Sequence, residues 1–136
     1  MREQPTAAEL IDAVSEFITR DLAPTLTGRL AFHARVAANV LAIVRRELLQ
    51  GPDADRDDAN RLAALLGHVG DPALLTEELC QRIASGEIAP DAPALIEHLW
   101  ASTLDTLAID QPGYATYRRI IAADPPTPKD PTTGDA

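Results

Sequence analysis

The segment between Gly28 and Gly51 limits most strongly what this chain can fold into. At about 100° per residue, Leu30, His33, Ala37, Val40, Leu41, Val44 and Leu48 share one face, and Phe32, Val36 and Ile43 widen it on one side. Apolar residues thus cover more than half the circumference of a helix predicted over Arg29–Gln50. So broad an arc normally needs several neighbours, which makes this the expected central and most buried helix. Only Arg35, Asn39 and Arg46 form a consistently polar strip. Gly51-Pro52 is the expected stop, because proline has no N–H and its ring crowds the preceding turn.

The other elements follow from caps and periodicity. Thr6 with Glu9 three residues on reads as a capping box that opens a first helix, with Leu10, Ile11, Val14, Phe17 and Ile18 on one face. Pro24 and Gly28 mark its connection to the central helix. After an acidic connection containing Asp53, Asp55, Asp57 and Asp58, a third helix buries Leu62, Leu65 and Leu66 and ends at Gly67. Asp71-Pro72 pairs an N-cap with a first-position proline and starts a fourth, with Leu74, Leu75, Leu79 and Ile83 inward, closed by Gly86. Asp91 and Pro93 start a fifth, on which Leu95, Ile96, Leu99, Trp100, Leu104 and Leu107 share half the surface. A break at residues 110–113 introduces a short last helix with Tyr114, Tyr117, Ile120 and Ile121.

No run alternates apolar and polar residues as a strand would. The expected fold is therefore all-α, an irregular antiparallel bundle of five or six helices over residues 1–123. Residues 124–136 contain four prolines and no apolar side chain except Ala136. They are expected to form a disordered tail, since they cannot offset their ordering entropy.

A chain of 136 residues, 46% hydrophobic, can bury a core as one domain without disulfides or metals. The lone Cys80 excludes an intramolecular disulfide and the N-terminus lacks a secretory pattern, so a cytoplasmic setting is expected. No apolar stretch approaches the roughly 20 residues that cross a bilayer. A net charge of −9 argues against nucleic acid, whose phosphates require a basic footprint. The charge is unevenly placed: between Asp21 and Glu47 there are four arginines, Arg29, Arg35, Arg45 and Arg46, and no acid.

A phosphate-cradling loop, dinucleotide fingerprint, nucleophile elbow and HExxH pair are all absent from the sequence. Cys80, between leucine and isoleucine neighbours, reads as an inert buried thiol. His33, His68 and His98 lack the spacing of zinc ligands, and neither a metal nor a cofactor is expected. His98 suits a solvated position near Ser102 and Asp105. His33, central on the broad apolar face, reads as a hydrogen-bonded core histidine or as a site residue. Asn39 and Arg35 line either ordinary surface or an acid-free docking stripe. Glu77-Glu78 and Asp57-Asp58 point apart on a helix and read as solvated. Trp100, Tyr114 and Tyr117 are expected to pack the end of the bundle.

Two stretches carry a resemblance: Gly28-Arg29-Leu30-Ala31-Phe32-His33-Ala34-Arg35-Val36-Ala37-Ala38-Asn39-Val40-Leu41, leading to Arg46-Glu47-Leu48, and Leu107-Ala108-Ile109-Asp110-Gln111-Pro112-Gly113-Tyr114. Together they resemble a family of small bacterial helical proteins of unknown function, encoded beside aminoglycoside-phosphotransferase-like kinases and acyl-CoA dehydrogenases. The resemblance covers most of residues 1–121. It implies a non-catalytic accessory subunit for a kinase that phosphorylates the hydroxyl of a hydroxyacyl-CoA, the phosphate being eliminated later on the way to β-oxidation. The implied partner is that kinase, with the acyl-CoA dehydrogenase as a second candidate; self-association is left open. Candidate binding residues are Arg29, His33, Arg35, Asn39 and Arg46, joined by Asp110, Gln111 and Tyr114 from the second stretch. The alternative is a free-standing small-ligand or acyl-CoA binding domain, with Arg29, Arg35 and Arg46 taking phosphates. That alternative requires an enclosed pocket near His33, whereas an accessory subunit requires an open apolar patch.

Overall fold

A computed structural model describes residues 4–125. It contains five α-helices and, among the described residues, no strand: α1 (Ala7–Glu16), α2 (Gly28–Leu66), α3 (Pro72–Ala84), α4 (Pro93–Asp110) and α5 (Ala115–Ala123). The all-α bundle expected from the sequence is what forms. Most of the proposed tail, residues 126–136, lies outside the described residues.

Helix α1 starts as its capping box dictates. Thr6 Oγ1 accepts from the Glu9 N–H at 3.2 Å, and the Thr6 N–H donates to Glu9 Oε2 at 2.6 Å. The backbone hydrogen bond from Thr6, then that from its side chain, holds the Glu9 carboxyl below the usual carboxylate range. Replacing Thr6 by alanine leaves the Glu9 N–H without its cap and should lower stability by about 1 kcal/mol, measured by urea titration. Beyond Glu16 the ladder widens into a π-helical segment, Phe17–Leu22, in which the Ala23 N–H reaches back five residues to the Ile18 carbonyl. Pro24, with no N–H to continue it, sits in the 3-10 turn Ala23–Thr25 that follows.

The largest departure from expectation is α2. It does not stop at Gly51-Pro52 but runs through both for 39 residues, about 58 Å, and absorbs the acidic connection and the expected third helix. Gly51 helps: a residue before proline is normally pushed out of the α region partly by its Cβ, and glycine has none. Gly51 is buried, with the Glu47 carboxylate lying where a Cβ would point. The helix ends at Gly67, whose φ of +87° takes the left-handed position while its N–H donates to the Ala63 carbonyl at 2.8 Å.

Helix α3 opens as expected, with Asp71 Oδ1 accepting from the N–H groups of Ala73 and Leu74 and Pro72 in the first turn. Helix α4 begins at Pro93, but its N-cap is Ala92 and no side chain caps it, so Asp91 does not play the part expected of it.

The core gathers at one end of the long helix. Leu62 and Leu66 of α2 pack with Leu75 and Leu79 of α3 and Leu95 of α4, and Leu65, Ile83, Ile88 and Ala92 close around them. The N-terminal half of α2 is therefore not the most buried part of the molecule. Its only buried residue is Ala34, on the side where small side chains let α1 and the π segment approach. Leu30 is 63% exposed and Val40 51%, and Phe32, Val36, Val44 and Leu48 are also exposed. The chain as a whole exposes 10250 Å2, against about 6,900 Å2 for a compact monomer of 14.6 kDa.

Candidate functional site

Helix α4 lies antiparallel against the C-terminal half of α2, and its inward face is partly polar. Leu95, His98, Ser102, Asp105 and Ile109, spaced alternately three and four residues apart, form the seam. Asp58 of α2 accepts a short hydrogen bond from the Ser102 hydroxyl and a second from Arg61 Nη2 at 3.2 Å. The same Arg61 nitrogen donates to Asp105 Oδ2 at 2.8 Å. His98, only 7% exposed, places Nδ1 4.0 Å from Asp58 Oδ1 without a hydrogen bond, and both that atom and Arg61 Nε are buried without one.

This seam overturns two expectations. His98 is buried rather than solvated, and Asp58 is half-buried and engaged rather than a free surface acid. The cause is the rotation of α4: Ile96, Leu99 and Trp100, the apolar residues expected inside, are turned outward. Asp, His and Ser meet here, but the Ser102 hydroxyl donates its hydrogen bond to the Asp58 carboxylate, which Arg61 also engages, and not to His98, so the three do not form a Ser-His-Asp relay and the seam joins α2 to α4 as a latch.

The residues singled out from the sequence separate into three places. At the start of α2, Arg29 Nε donates to His33 Nε2 at 3.3 Å, and the Phe32 ring stands edge-on to His33 with centroids 5.6 Å apart. His33 is exposed, not a core histidine, because the inward face of this half of α2 is that of Ala34 and Ala38. Further along, Arg35 and Asn39 line a shallow recess of about 290 Å3 with Ile18, Thr19, Ala23, Ala34 and Ala38. Arg35 is exposed and makes no hydrogen bond or ion pair with any described residue.

The third place is the end of α4. Arg46 Nε donates to the Ile109 carbonyl at 2.5 Å, capping the negative end of that helix. Arg45 is likewise committed, its Nε 2.7 Å from Asp12 Oδ1 of α1. Arg46 is thus a structural residue and leaves the docking strip to which the sequence assigned it. Asp110 lines a recess of about 330 Å3 between α2 and α4 with Glu47, Asp55, Asp58, Ser102 and Asp105. Gln111 makes the turn, its N–H donating to Leu107 and its carbonyl accepting from Tyr114, and Tyr114 stands half-exposed before α5.

Other placements differ from the sequence reading. Tyr117 is buried, but Trp100 and Tyr114 are exposed, so the three do not pack together as an end cap. Cys80 is exposed, one position past the buried Leu79. Glu78 is not freely solvated: His68 Nε2 lies 2.7 Å from its Oε2, and Arg82 reaches its Oε1. Desolvation raises its pKa, but the hydrogen bonds from His68 and Arg82 outweigh that and leave the carboxyl below its usual range. Among the described residues no group of three or more His, Cys, Asp or Glu could hold a metal ion, and no helix is long and apolar enough to cross a membrane.

Fold and surface together define a small helical protein with one packed end, one thinly covered apolar end and, beside a shallow recess, Arg35 without a partner among the described residues. Residues 24–114, from the turn before α2 to the residue before α5, match the family model described as a domain of unknown function, DUF6285, and the chain belongs to that family. No curated protein and no solved structure matches it.

Proposed function

We propose that this chain is a non-catalytic accessory subunit of a phosphotransferase-like kinase acting on hydroxyacyl-CoA, and that it docks through the recess where Arg35 and Asn39 meet the π segment. The observation that carries the docking site is the state of the arginines. Of the four in the acid-free stretch, Arg45 and Arg46 are tied to other helices and Arg29 to His33, whereas Arg35 presents an unpaired guanidinium at the edge of a small-residue surface. A planar, always-charged fork in that position suits a carboxylate on a partner protein. Exposed Leu10 and Val14 on α1 and Phe17 at the start of the π segment add apolar area of the kind buried at protein interfaces. The identity of the partner comes from the family resemblance. The exposed setting of His33 favours docking over the enclosed ligand pocket that the alternative requires.

The test mixes the protein with a phosphotransferase-like kinase of the kind the family resemblance implies, taken from the same host. The two should co-elute in size-exclusion chromatography, and the mixture should phosphorylate hydroxyacyl-CoA faster than the kinase alone, while the small protein alone turns over neither ATP nor hydroxyacyl-CoA. Arg35→Glu should weaken the complex by about tenfold or more, roughly 1.4 kcal/mol, whereas Arg118→Glu, an exposed arginine on α5, should leave it unchanged. No complex and no rate change over a range of acyl-chain lengths, combined with binding of CoA esters by the small protein alone, would replace this reading with the free-standing ligand binder.

A further inference from the structure

One exposed face of α2 is built for another helix. Phe32, Val36, Val40, Val44 and Leu48 recur every fourth residue and form one of the surface ridges by which α-helices interdigitate, yet all five are exposed. Helix α4 ends level with Arg46 and does not cover this ridge. The charges around it are ordered along the helix. Arg29 lies at its N-terminal end and Glu47 and Asp55 at its C-terminal end, on the same side as the valines. Glu47 and Asp55 make no ion pair or hydrogen bond with any described residue, and both line the acidic recess beside α4.

We infer that the ridge is a homodimer interface, in which α2 of a second copy of this chain crosses antiparallel about a two-fold axis at Val40. In that register Val40 meets Val40, Val36 meets Val44 and Phe32 meets Leu48. His33 of each copy then falls opposite Glu47 of the other, and Arg29 opposite Gly51, between Glu47 and Asp55. One surface supplies both halves of the interface, as a two-fold contact requires, and the basic end of each helix lies on the acidic end of its neighbour. A parallel pair would set Arg29 against Arg29 and Glu47 against Glu47, which like-charge repulsion disfavours. Arg35 lies three residues from Phe32 and Asn39 three from Val36, so the N-terminal end of the ridge borders the proposed kinase-docking recess.

The experiment is sedimentation equilibrium on the purified full chain. The expected species is a dimer of 14.6 kDa chains at micromolar concentration. Val40→Glu, at a position exposed in the single chain, should raise the dimer dissociation constant at least tenfold with the helical circular dichroism unchanged. Arg29→Glu and Glu47→Arg should each weaken the dimer, and the two together in one chain should restore it. Val40→Cys in a Cys80→Ser background should cross-link on oxidation, whereas Arg29→Cys in that background should not. A monomer at 100 micromolar, a dimer indifferent to Val40→Glu, or a charge exchange that fails to restore the dimer would each overturn the proposal.

Discussion

Replacing Leu62 by alanine should lower the unfolding free energy by about 3–5 kcal/mol and the melting temperature by roughly 10–20 °C. Leu62 is 1% exposed and lies where α2, α3 and α4 converge, against Leu66, Leu75, Leu79 and Leu95. Removing three carbons there costs their transfer free energy plus a cavity term, and contacts from three helices prevent the site from collapsing to fill it. Leu74, next to the buried Leu75 but itself 65% exposed, provides the contrast. Leu74→Ala should change stability by no more than about 0.5 kcal/mol, since exposed positions without special contacts rarely do more. Guanidinium titration of the two variants in parallel checks both values. Equal losses would mean that α3 is rotated from the orientation described.

Pro52→Ala should act in the opposite direction, stabilising the protein by about 2–3 kcal/mol. Pro52 is exposed, in the interior of a 39-residue helix, where it cannot donate to the Leu48 carbonyl and its ring crowds that carbonyl. Proline in a helix interior is about 3 kcal/mol worse than alanine. Against this, proline restricts the unfolded chain, and losing that restriction returns about 0.4–1 kcal/mol, so the net sign remains stabilising. Thermal unfolding followed by circular dichroism measures it. A loss of stability would show that the restriction Pro52 places on the unfolded chain outweighs the hydrogen bond it removes from the helix.

The chain ends of the helices were the most legible part of the fold, and for a local reason. Thr6 with Glu9, Asp71 with Pro72, and Gly67 each satisfy or terminate a backbone ladder within a few residues, so their effect survives any tertiary arrangement. The candidate site was less legible. Arg35 and Asn39 were recognisable as an accessible polar strip, but Arg46 could not be separated from them, because its acceptor, the Ile109 carbonyl, lies 63 residues away. His33 and His98 exchanged environments. Each sits in a half-apolar helix, and whether its ring is buried depends on which neighbour covers that helix. The missed signal was the three-four spacing of Leu95, His98, Ser102, Asp105 and Ile109, a seam hidden because its central members are polar.

The sequence by itself determined the helical class, the starts of α1 and α3, the end of α2 at Gly67 and the leucines of the core, because periodicity and capping are short-range. Tertiary structure decided that α2 continues through Pro52 and which part of its apolar arc is covered. The proline penalty of about 3 kcal/mol is of the same order as burying one large apolar side chain, so packing Leu62 and Leu66 against α3 and α4 on an unbroken helix can outweigh it. An arc wider than half a helix names no single buried face. The neighbours select one, and here they chose the small side chains around Ala34, leaving the ridge from Phe32 to Leu48 exposed.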